Sequence, residues 1–217
     1  MKRTLIIALS AVCIFLSAFS SGAQDYSERG TFIDESSGRS VLYRGRQAIR
    51  YNISFEGTPY WDSPEFVEGS ITLDGKYYDG VMVNVDAFAG EVQLLPPGSR
   101  TAIVPPREHV DRASMGDIKF VNLVKKGYDV TPGFYEIVRE GDFTLYRLVR
   151  KTLLTDLNKA ASLGYAQEYF KDKDLYFFEK DDILYPIGKR KATKLAANPS
   201  AALIASAMRA RKDAVSL

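Results

Sequence analysis

The sequence predicts a mainly β fold: an antiparallel meander, barrel-like or folded as a sandwich, with a C-terminal helical appendage. Short runs rich in Tyr, Phe, Val and Ile follow one another from about Val41 to Ile187. Several of these runs are separated by residues that suit tight hairpin turns. Strands and helices do not alternate along this stretch, so a parallel sheet is not expected.

Three hairpins are predicted in this region. The clearest turns at Asp74-Gly75, because both positions of such a turn tolerate a positive φ. The predicted hairpins cover residues 70–86, 134–149 and 175–185. Further strands are predicted at residues 48–55, 91–95, 102–104 and 118–124. Residues 153–161 have helix-forming side chains but end at Gly164, so a loop with at most one helical turn is expected there.

Two helices are predicted at the C-terminus. Residues 189–197 form the first, and Asn198 is expected to cap the second, with Pro199 at its first position. The apolar positions of the second helix recur at helical spacing and are Leu203, Ile204, Ala207 and Met208. This narrow stripe is predicted to dock on the β domain.

The N-terminus predicts export. Lys2 and Arg3 precede an apolar stretch of about a dozen residues, which is shorter than a membrane-spanning helix, and small residues end it at Ala23. This is the order of a secretory signal cleaved after Ala23. The only cysteine, Cys13, offers lipidation as an alternative, although the residues before it fit that motif poorly. The mature chain is expected to be periplasmic or associated with the outer membrane.

Four segments are therefore expected. They are a signal peptide (residues 1–23), a flexible leader (24–40), an antiparallel β domain (41–188) and a C-terminal helical segment (189–217). Removal of Lys2 and Arg3 leaves 27 basic and 27 acidic residues. A neutral chain lacks the electrostatic term that drives nucleic-acid binding, so no nucleic-acid partner is expected.

A family resemblance is carried by turn and strand motifs. The motif G-x-P-Y occupies residues 57–60, and F-x-x-G-x-I-x-L-D-G-K-x-Y follows over residues 66–78. Between about residues 50 and 210 the chain resembles a family of uncharacterised exported proteins of Bacteroidetes-type bacteria. The resemblance implies export, a β-rich fold and a helical end, and it brings no activity with it.

Tyr60 and Trp61 are the predicted ligand-binding residues. The turn chemistry of Gly57 and Pro59 would hold the two rings rigidly, where they could stack on a sugar ring or on an apolar patch of a partner. The competing interpretation is that both rings plug one end of the β core, where large aromatic side chains bury the most area.

Candidate catalytic groups are sparse, and no catalytic residue is assigned. His109 is the sole histidine, and no serine has a nucleophile-elbow motif around it. Zinc sites draw on several His or Cys ligands, so neither a metal nor a cofactor is expected. The carboxylates that cluster after the Gly57 turn are Asp62, Glu65 and Glu68.

The sequence thus predicts an exported, non-enzymatic binding or structural module of unknown ligand. The alternative is a hydrolase that uses acidic residues in the 62–86 region. A protein, a glycan or an anionic membrane surface could be the partner, the last through the basic run that begins at Lys189. No transmembrane segment is expected in the mature chain.

Overall fold

A computed structural model describes residues 40–51, 55–156 and 167–209 of the 217-residue chain. The predicted signal peptide and the leader up to residue 39 lie outside the described residues. The chain divides into two compact units, Met1–Leu42 and Tyr43–Leu217. All elements named below belong to the second unit.

The described strands of the first half are β1 (Arg46–Gln47), β2 (Val67–Leu73), β3 (Lys76–Asp86), β4 (Glu91–Leu95), β5 (Ile103–Val104), β6 (Val110–Met115) and β7 (Ile118–Val121). Those of the second half are β8 (Tyr135–Arg139), β9 (Thr144–Leu148), β10 (Lys151–Asp156), β11 (Gln167–Asp172), β12 (Leu175–Lys180) and β13 (Ile183–Ile187). A 3-10 turn (Arg107–His109) precedes β6, and two helices, α1 (Lys189–Ala197) and α2 (Ala201–Arg209), end the described chain.

Eleven strands form one antiparallel sheet in the order β1-β5-β4-β3-β2-β6-β7-β8-β9-β12-β13, and β10 pairs with β11 in a separate ladder. The mainly β, antiparallel fold with C-terminal helices is therefore confirmed. The two edge strands, β1 and β13, do not pair with each other, so the sheet stays open. The barrel-like alternative is not adopted.

The predicted hairpin turn at Asp74-Gly75 connects β2 to β3. Asp74 has φ 47° and Gly75 has φ 78°, so both lie in the left-handed region that a two-residue hairpin turn with matching twist requires. The β12–β13 turn uses the same geometry, since Asp181 and Asp182 have φ 53° and 57°. Aspartate tolerates this region better than most residues with a Cβ.

Replacement of Gly75 tests the turn. A Cβ at this position would meet nothing within 4 Å, so only the φ of 78° opposes a side chain. Gly75→Val is expected to lower the free energy of unfolding by about 1 kcal/mol or more, because a β-branched residue tolerates positive φ poorly. Gly75→Asn is the matched control and should cost clearly less. Urea unfolding measures both, and equal losses would contradict this account of the turn.

One strand prediction and one loop prediction were wrong. Residues 48–51 have no strand conformation, and residues 52–54 of that predicted strand lie outside the described residues. The regular pairing near this point is instead the short β1, whose register sets Arg46 opposite Val104. Residues 153–156, predicted as a loop, belong to β10, where Leu153 pairs with Phe170 of β11. The rest of that predicted loop, residues 157–161, also lies outside the described part.

The two faces of the sheet bury separate apolar clusters. The first cluster consists of Phe143, Leu145, Phe178 and Tyr185 from the sheet with Ala192, Leu195 and Ala207 from the helices. The second consists of Val121, Leu123, Tyr135, Tyr146 and Leu148. Leu145 and Tyr146 are neighbours in β9 but belong to different clusters, because successive side chains of a strand point to opposite faces.

The predicted docking of the last helix is confirmed. Ala207 is fully buried, and Leu203, Ile204 and Met208 pack against the first cluster. The predicted cap was wrong, however. Asn198 ends α1, since its N–H donates to the carbonyl of Lys194 at 2.9 Å. Ser200 instead caps α2 from the position before it, where its Oγ accepts from the N–H of Leu203 at 3.3 Å.

Candidate functional site

A groove of about 440 Å³ lies over strands β2, β3, β6 and β7. Its floor is set by strand register. Thr72 of β2 stands opposite Tyr77 of β3 on one side and opposite Arg112 of β6 on the other. Residues that face each other in adjacent strands are about 5 Å apart and share a face of the sheet. Tyr77, Thr72 and Arg112 therefore form one row across three strands.

A second row lies beside the first. Ser70 stands opposite Ser114, and Ser114 stands opposite Lys119 of β7. Residues two apart in a strand point to the same face, so both rows line the same groove. The residues between them, Ile71 and Ala113, are buried, and by the same alternation their side chains point to the other face.

The two serines fix the centre of the floor. Their Oγ atoms are 2.9 Å apart, and the N–H of Ser70 also donates to Ser114 Oγ at 2.9 Å. Gly69 permits this close approach of β2 to β6, because a Cβ there would lie 2.0 Å from the carbonyl oxygen of Ser114. A backbone N–H therefore holds Ser114 Oγ, and Ser114 Oγ in turn holds the hydroxyl of Ser70.

The charges at the groove differ in how far they are neutralised. Lys119 Nζ lies 3.2 Å from Glu140 Oε2 in an exposed ion pair. In the described part of the chain, the Arg112 guanidinium has neither an ion-pair nor a hydrogen-bond partner, although Asp117 also lines the groove. Arg112 is exposed, so its charge is available to a ligand.

Tyr60, one of the two predicted ligand residues, lines a different and smaller pocket of about 220 Å³. Its ring meets Tyr51 edge-to-face at 6.1 Å, and Tyr51 meets Phe88 and Phe170 in the same way at 6.0 and 6.2 Å. Burial, with Asp86 nearby, raises the pKa of the Tyr60 hydroxyl. The pocket is thus mainly apolar.

Asp86 anchors this aromatic pocket from below. Its carboxylate accepts from Tyr51 Oη at 2.6 Å and from the N–H groups of Phe88 and Ala89 at 3.0 and 2.8 Å. Burial raises the pKa of Asp86, and these hydrogen bonds partly offset that effect. The carboxylate is 1% exposed, so it holds the turn after β3 and is not open to a substrate.

Trp61, the second predicted ligand residue, is half-buried and packs on the sheet. Its ring meets Phe120 edge-to-face at 5.8 Å, and the Arg147 guanidinium lies 5.5 Å from its centroid. Arg147 Nε is in turn 2.7 Å from Glu136 Oε2. Trp61 thus packs on side chains of the sheet, whereas Tyr60 borders a cavity. Tyr60 and Trp61 therefore do not form one exposed aromatic pair.

His109 lies at the exposed end of the 3-10 turn. Its Nδ1 is 2.8 Å from Asp74 Oδ2, and Lys125 Nζ contacts Asp74 Oδ1 at 2.8 Å and Asp111 Oδ1 at 3.0 Å. Lys125 beside Asp74 holds the pKa of that carboxyl below its usual range. Asp111 also accepts from the N–H of Gly75 at 2.8 Å. The cluster joins the β2–β3 turn to β6.

A buried carboxylate lies on the face of the second apolar cluster. Glu179 is 7% exposed and accepts from Lys126 Nζ and from the hydroxyls of Tyr128 and Tyr146. Burial alone would raise the pKa of Glu179, but these three donors outweigh it, and the pKa lies below its usual value. Burial and the adjacent carboxylate raise the pKa of both tyrosines.

The acidic residues that motivated the hydrolase alternative are exposed, namely Asp62, Glu65 and Glu68. Across residues 40–51, 55–156 and 167–209, no group of three or more His, Cys, Asp or Glu side chains is placed to hold a metal ion. Nor does any helix in this part of the chain have the length and apolar character needed to cross a bilayer.

Comparison of the chain with protein-family models, with curated proteins and with solved structures gave no match. The family resemblance predicted from the turn motifs stays a prediction. The groove and the aromatic pocket therefore serve as the candidate binding sites.

Proposed function

We propose that the protein is an exported, non-enzymatic binding module that takes a carbohydrate in the groove over β2, β3, β6 and β7. The observation that carries the proposal is the floor of the groove, where Ser70, Thr72 and Ser114 surround the unpaired Arg112. Hydroxyl groups both donate and accept hydrogen bonds, and a guanidinium offers several donors in a fixed fork. Such a floor complements the adjacent hydroxyls of a sugar ring.

Tyr77 supplies the apolar part of this surface. Tyr77 is 62% exposed and stands at one end of the first row. Its hydroxyl donates to Asp79 at 3.2 Å, and this hydrogen bond orients the ring. A tyrosine offers a flat apolar body with a polar tip. The less polar face of a sugar can lie against that body while its hydroxyls reach Thr72 and Arg112.

The carboxylates at the groove favour binding over hydrolysis. A glycosidase needs two carboxyl groups about 5 to 9.5 Å apart on either side of the scissile bond. Asp117 lines the groove, and Asp79 borders it, opposite Ser70. Strand register separates these two carboxylates by two strands and three residues, which is about 14 Å and too far for such a pair. The acidic residues near Asp62 are not part of this lining, so they offer no partner for Asp117 there.

Affinity electrophoresis in gels that contain single polysaccharides, both neutral and acidic, tests this proposal. At least one polysaccharide is expected to retard the wild-type protein, and Tyr77→Ala should weaken that retardation about tenfold, because the stacking surface is lost. Tyr60→Ala is the matched control for the aromatic pocket and should leave retardation unchanged.

Two outcomes would overturn the proposal. Retardation lost in Tyr60→Ala but kept in Tyr77→Ala would place the ligand in the aromatic pocket. New reducing ends released from a bound polysaccharide would identify a hydrolase instead of a binding module.

A further inference from the structure

We infer that the groove selects an acidic sugar, one that carries a carboxylate or sulfate group, and that Arg112 recognises this group. The inference rests on the proposed carbohydrate-binding function and adds the class of ligand. The shared chemistry is an oxyanion attached to a hydroxylated ring.

Arg112 carries a charge that no group in the described part of the chain pairs with. Two other arginines of the sheet region are paired: Arg46 with Glu91, and Arg147 with Glu136 at 2.7 Å. Arg112 has no such partner in the part of the chain that the structure describes. Strand register also places it between Thr72 and Val121, so it rises from the floor of the groove rather than from its rim.

Two carboxylates on the strands around Arg112 have contacts of their own. The Asp111 carboxylate contacts Lys125 at 3.0 Å and the N–H of Gly75 at 2.8 Å. Asp79 accepts from the hydroxyl of Tyr77 at 3.2 Å. The guanidinium of Arg112 is therefore left for an anion from outside the chain.

The remaining charges are at the other end of the groove. Asp117 lies in the turn between β6 and β7, and Lys119 is paired there with Glu140. At roughly 3.4 Å per strand residue, the last residue of β6 is about 10 Å from Arg112. An acidic sugar would thus point its oxyanion at Arg112, while Asp117 accepts from hydroxyls at the far end. This polarity fixes the orientation of the ligand.

The chemistry of the pair gives the expected selectivity. Hydrogen bonds between a guanidinium and a carboxylate are roughly twice as strong as neutral ones and are often bidentate. The neighbouring hydroxyls of Thr72 and Ser114 can donate to the remaining lone pairs of the oxyanion. A neutral sugar of the same shape would leave these donors facing a weaker acceptor.

The test is calorimetric titration of the wild-type protein with trisaccharides of galacturonic, glucuronic, mannuronic and guluronic acid. Each acid is compared with its own methyl ester, and sulfated galactose trisaccharides form a separate arm. At least one acid should bind about tenfold tighter than its ester, which corresponds to about 1.4 kcal/mol. Tighter binding in the sulfate arm would identify sulfate as the source of the oxyanion.

Variants then assign the effect to Arg112. Arg112→Gln should bring the acid to the affinity of its ester, and Arg112→Lys should keep part of the difference, because a lysine retains the charge without the fork. Arg190→Gln removes an exposed arginine of α1 and should change nothing. Equal melting temperatures would show that each variant is folded.

The outcomes separate the two proposals. Equal binding of acids and esters, with both weakened by Tyr77→Ala, would refute the selectivity and leave carbohydrate binding standing. An equal loss of affinity for the acid in Arg112→Gln and in Arg190→Gln would show general charge attraction and refute the role of Arg112. Absence of binding to every acid, ester and sulfate would overturn both the inference and the carbohydrate function.

Discussion

Replacement of Glu179 by alanine is expected to lower the free energy of unfolding by about 3 kcal/mol. The wild-type carboxylate is 8% exposed at its side chain and accepts from Lys126, Tyr128 and Tyr146. Without it, two tyrosine hydroxyls lose their acceptor and Lys126 loses its counterion. The two tyrosine hydroxyls stay at least partly buried without an acceptor, which is costly, whereas Lys126, 39% exposed at its side chain, can turn to water. Urea unfolding measures the loss.

The matched control is Glu140→Ala. Glu140 also pairs with a lysine, Lys119, but both side chains are about half exposed, so the expected loss is within about 0.5 kcal/mol. Similar losses at the two positions would contradict the special role of Glu179.

The stability that Glu179 contributes should depend on pH in a defined direction. Its folded pKa lies below the usual 4.5, so folding favours the charged form. The contribution is therefore fully present above about pH 4.5 and is lost as the pH falls through the lower folded pKa. Burial raises the pKa of Asp86 and of Glu136. The contributions of these two groups to stability therefore fall as the pH rises, opposite to that of Glu179. The difference in stability between wild type and Glu179→Gln isolates Glu179 and should shrink below pH 4.5.

Ala207→Asp is expected to cost about 3 kcal/mol, the other large effect. Ala207 is fully buried between α2 and the cluster that contains Phe143 and Phe178. An aspartate there would be a buried charge without a partner. Undocking of α2 from the sheet exposes this charge to water and so avoids the cost of burying it. The loss is then set by the docking energy of α2, to which Leu203 and Ile204 contribute buried apolar area.

Ala205→Asp makes the matched comparison, because it is the same substitution at an exposed position of the same helix. It should cost well under 1 kcal/mol. Hydrogen exchange over residues 201–209 should be slow in the wild type and in Ala205→Asp, and fast in Ala207→Asp. Fast exchange in the wild type would mean that the helix does not dock in solution.

The hairpins and helices were predictable because each rests on local chemistry. Two adjacent residues that tolerate positive φ between apolar runs predict a turn, as at Asp74-Gly75, and the spacing of apolar residues in α2 predicts its buried side. The strand expected to begin at residue 48 has no counterpart over residues 48–51, because alternation alone does not provide a partner strand. Asn198 and Ser200 are both good caps, and only the backbone conformation decides between them.

The groove could not be predicted because the sequence pattern does not indicate strand β6. Alternation in β6 is broken where register shifts between Thr72 and Leu73, so that Val110 and Arg112 oppose successive residues of β2. This bulge leaves Asp111 as an extra residue and hides the period of two. Thr72 is far in sequence from Arg112 and Ser114, and only the pairing of β2 with β6 places them side by side.

The prediction for Tyr60 and Trp61 treated two neighbours as one pair. Residues adjacent in sequence can have different surroundings, and here Tyr60 lines a pocket while Trp61 packs on Phe120. The turn chemistry around Gly57 and Pro59 concerns the backbone, where the Tyr60 N–H donates to Thr58 Oγ1 at 3.2 Å. It contained no information on which direction each ring would face.

The position of the groove also has a kinetic consequence. Strands β2 to β5 pair as one run of consecutive hairpins, and β6 to β9 pair as another. In the described sheet the two runs meet at the β2–β6 ladder, and both rows of the groove cross that ladder, through Thr72 with Arg112 and through Ser70 with Ser114. A ligand that contacts both rows binds only while the two runs are joined. Its binding would therefore slow their separation and lengthen the lifetime of the folded protein against proteolysis.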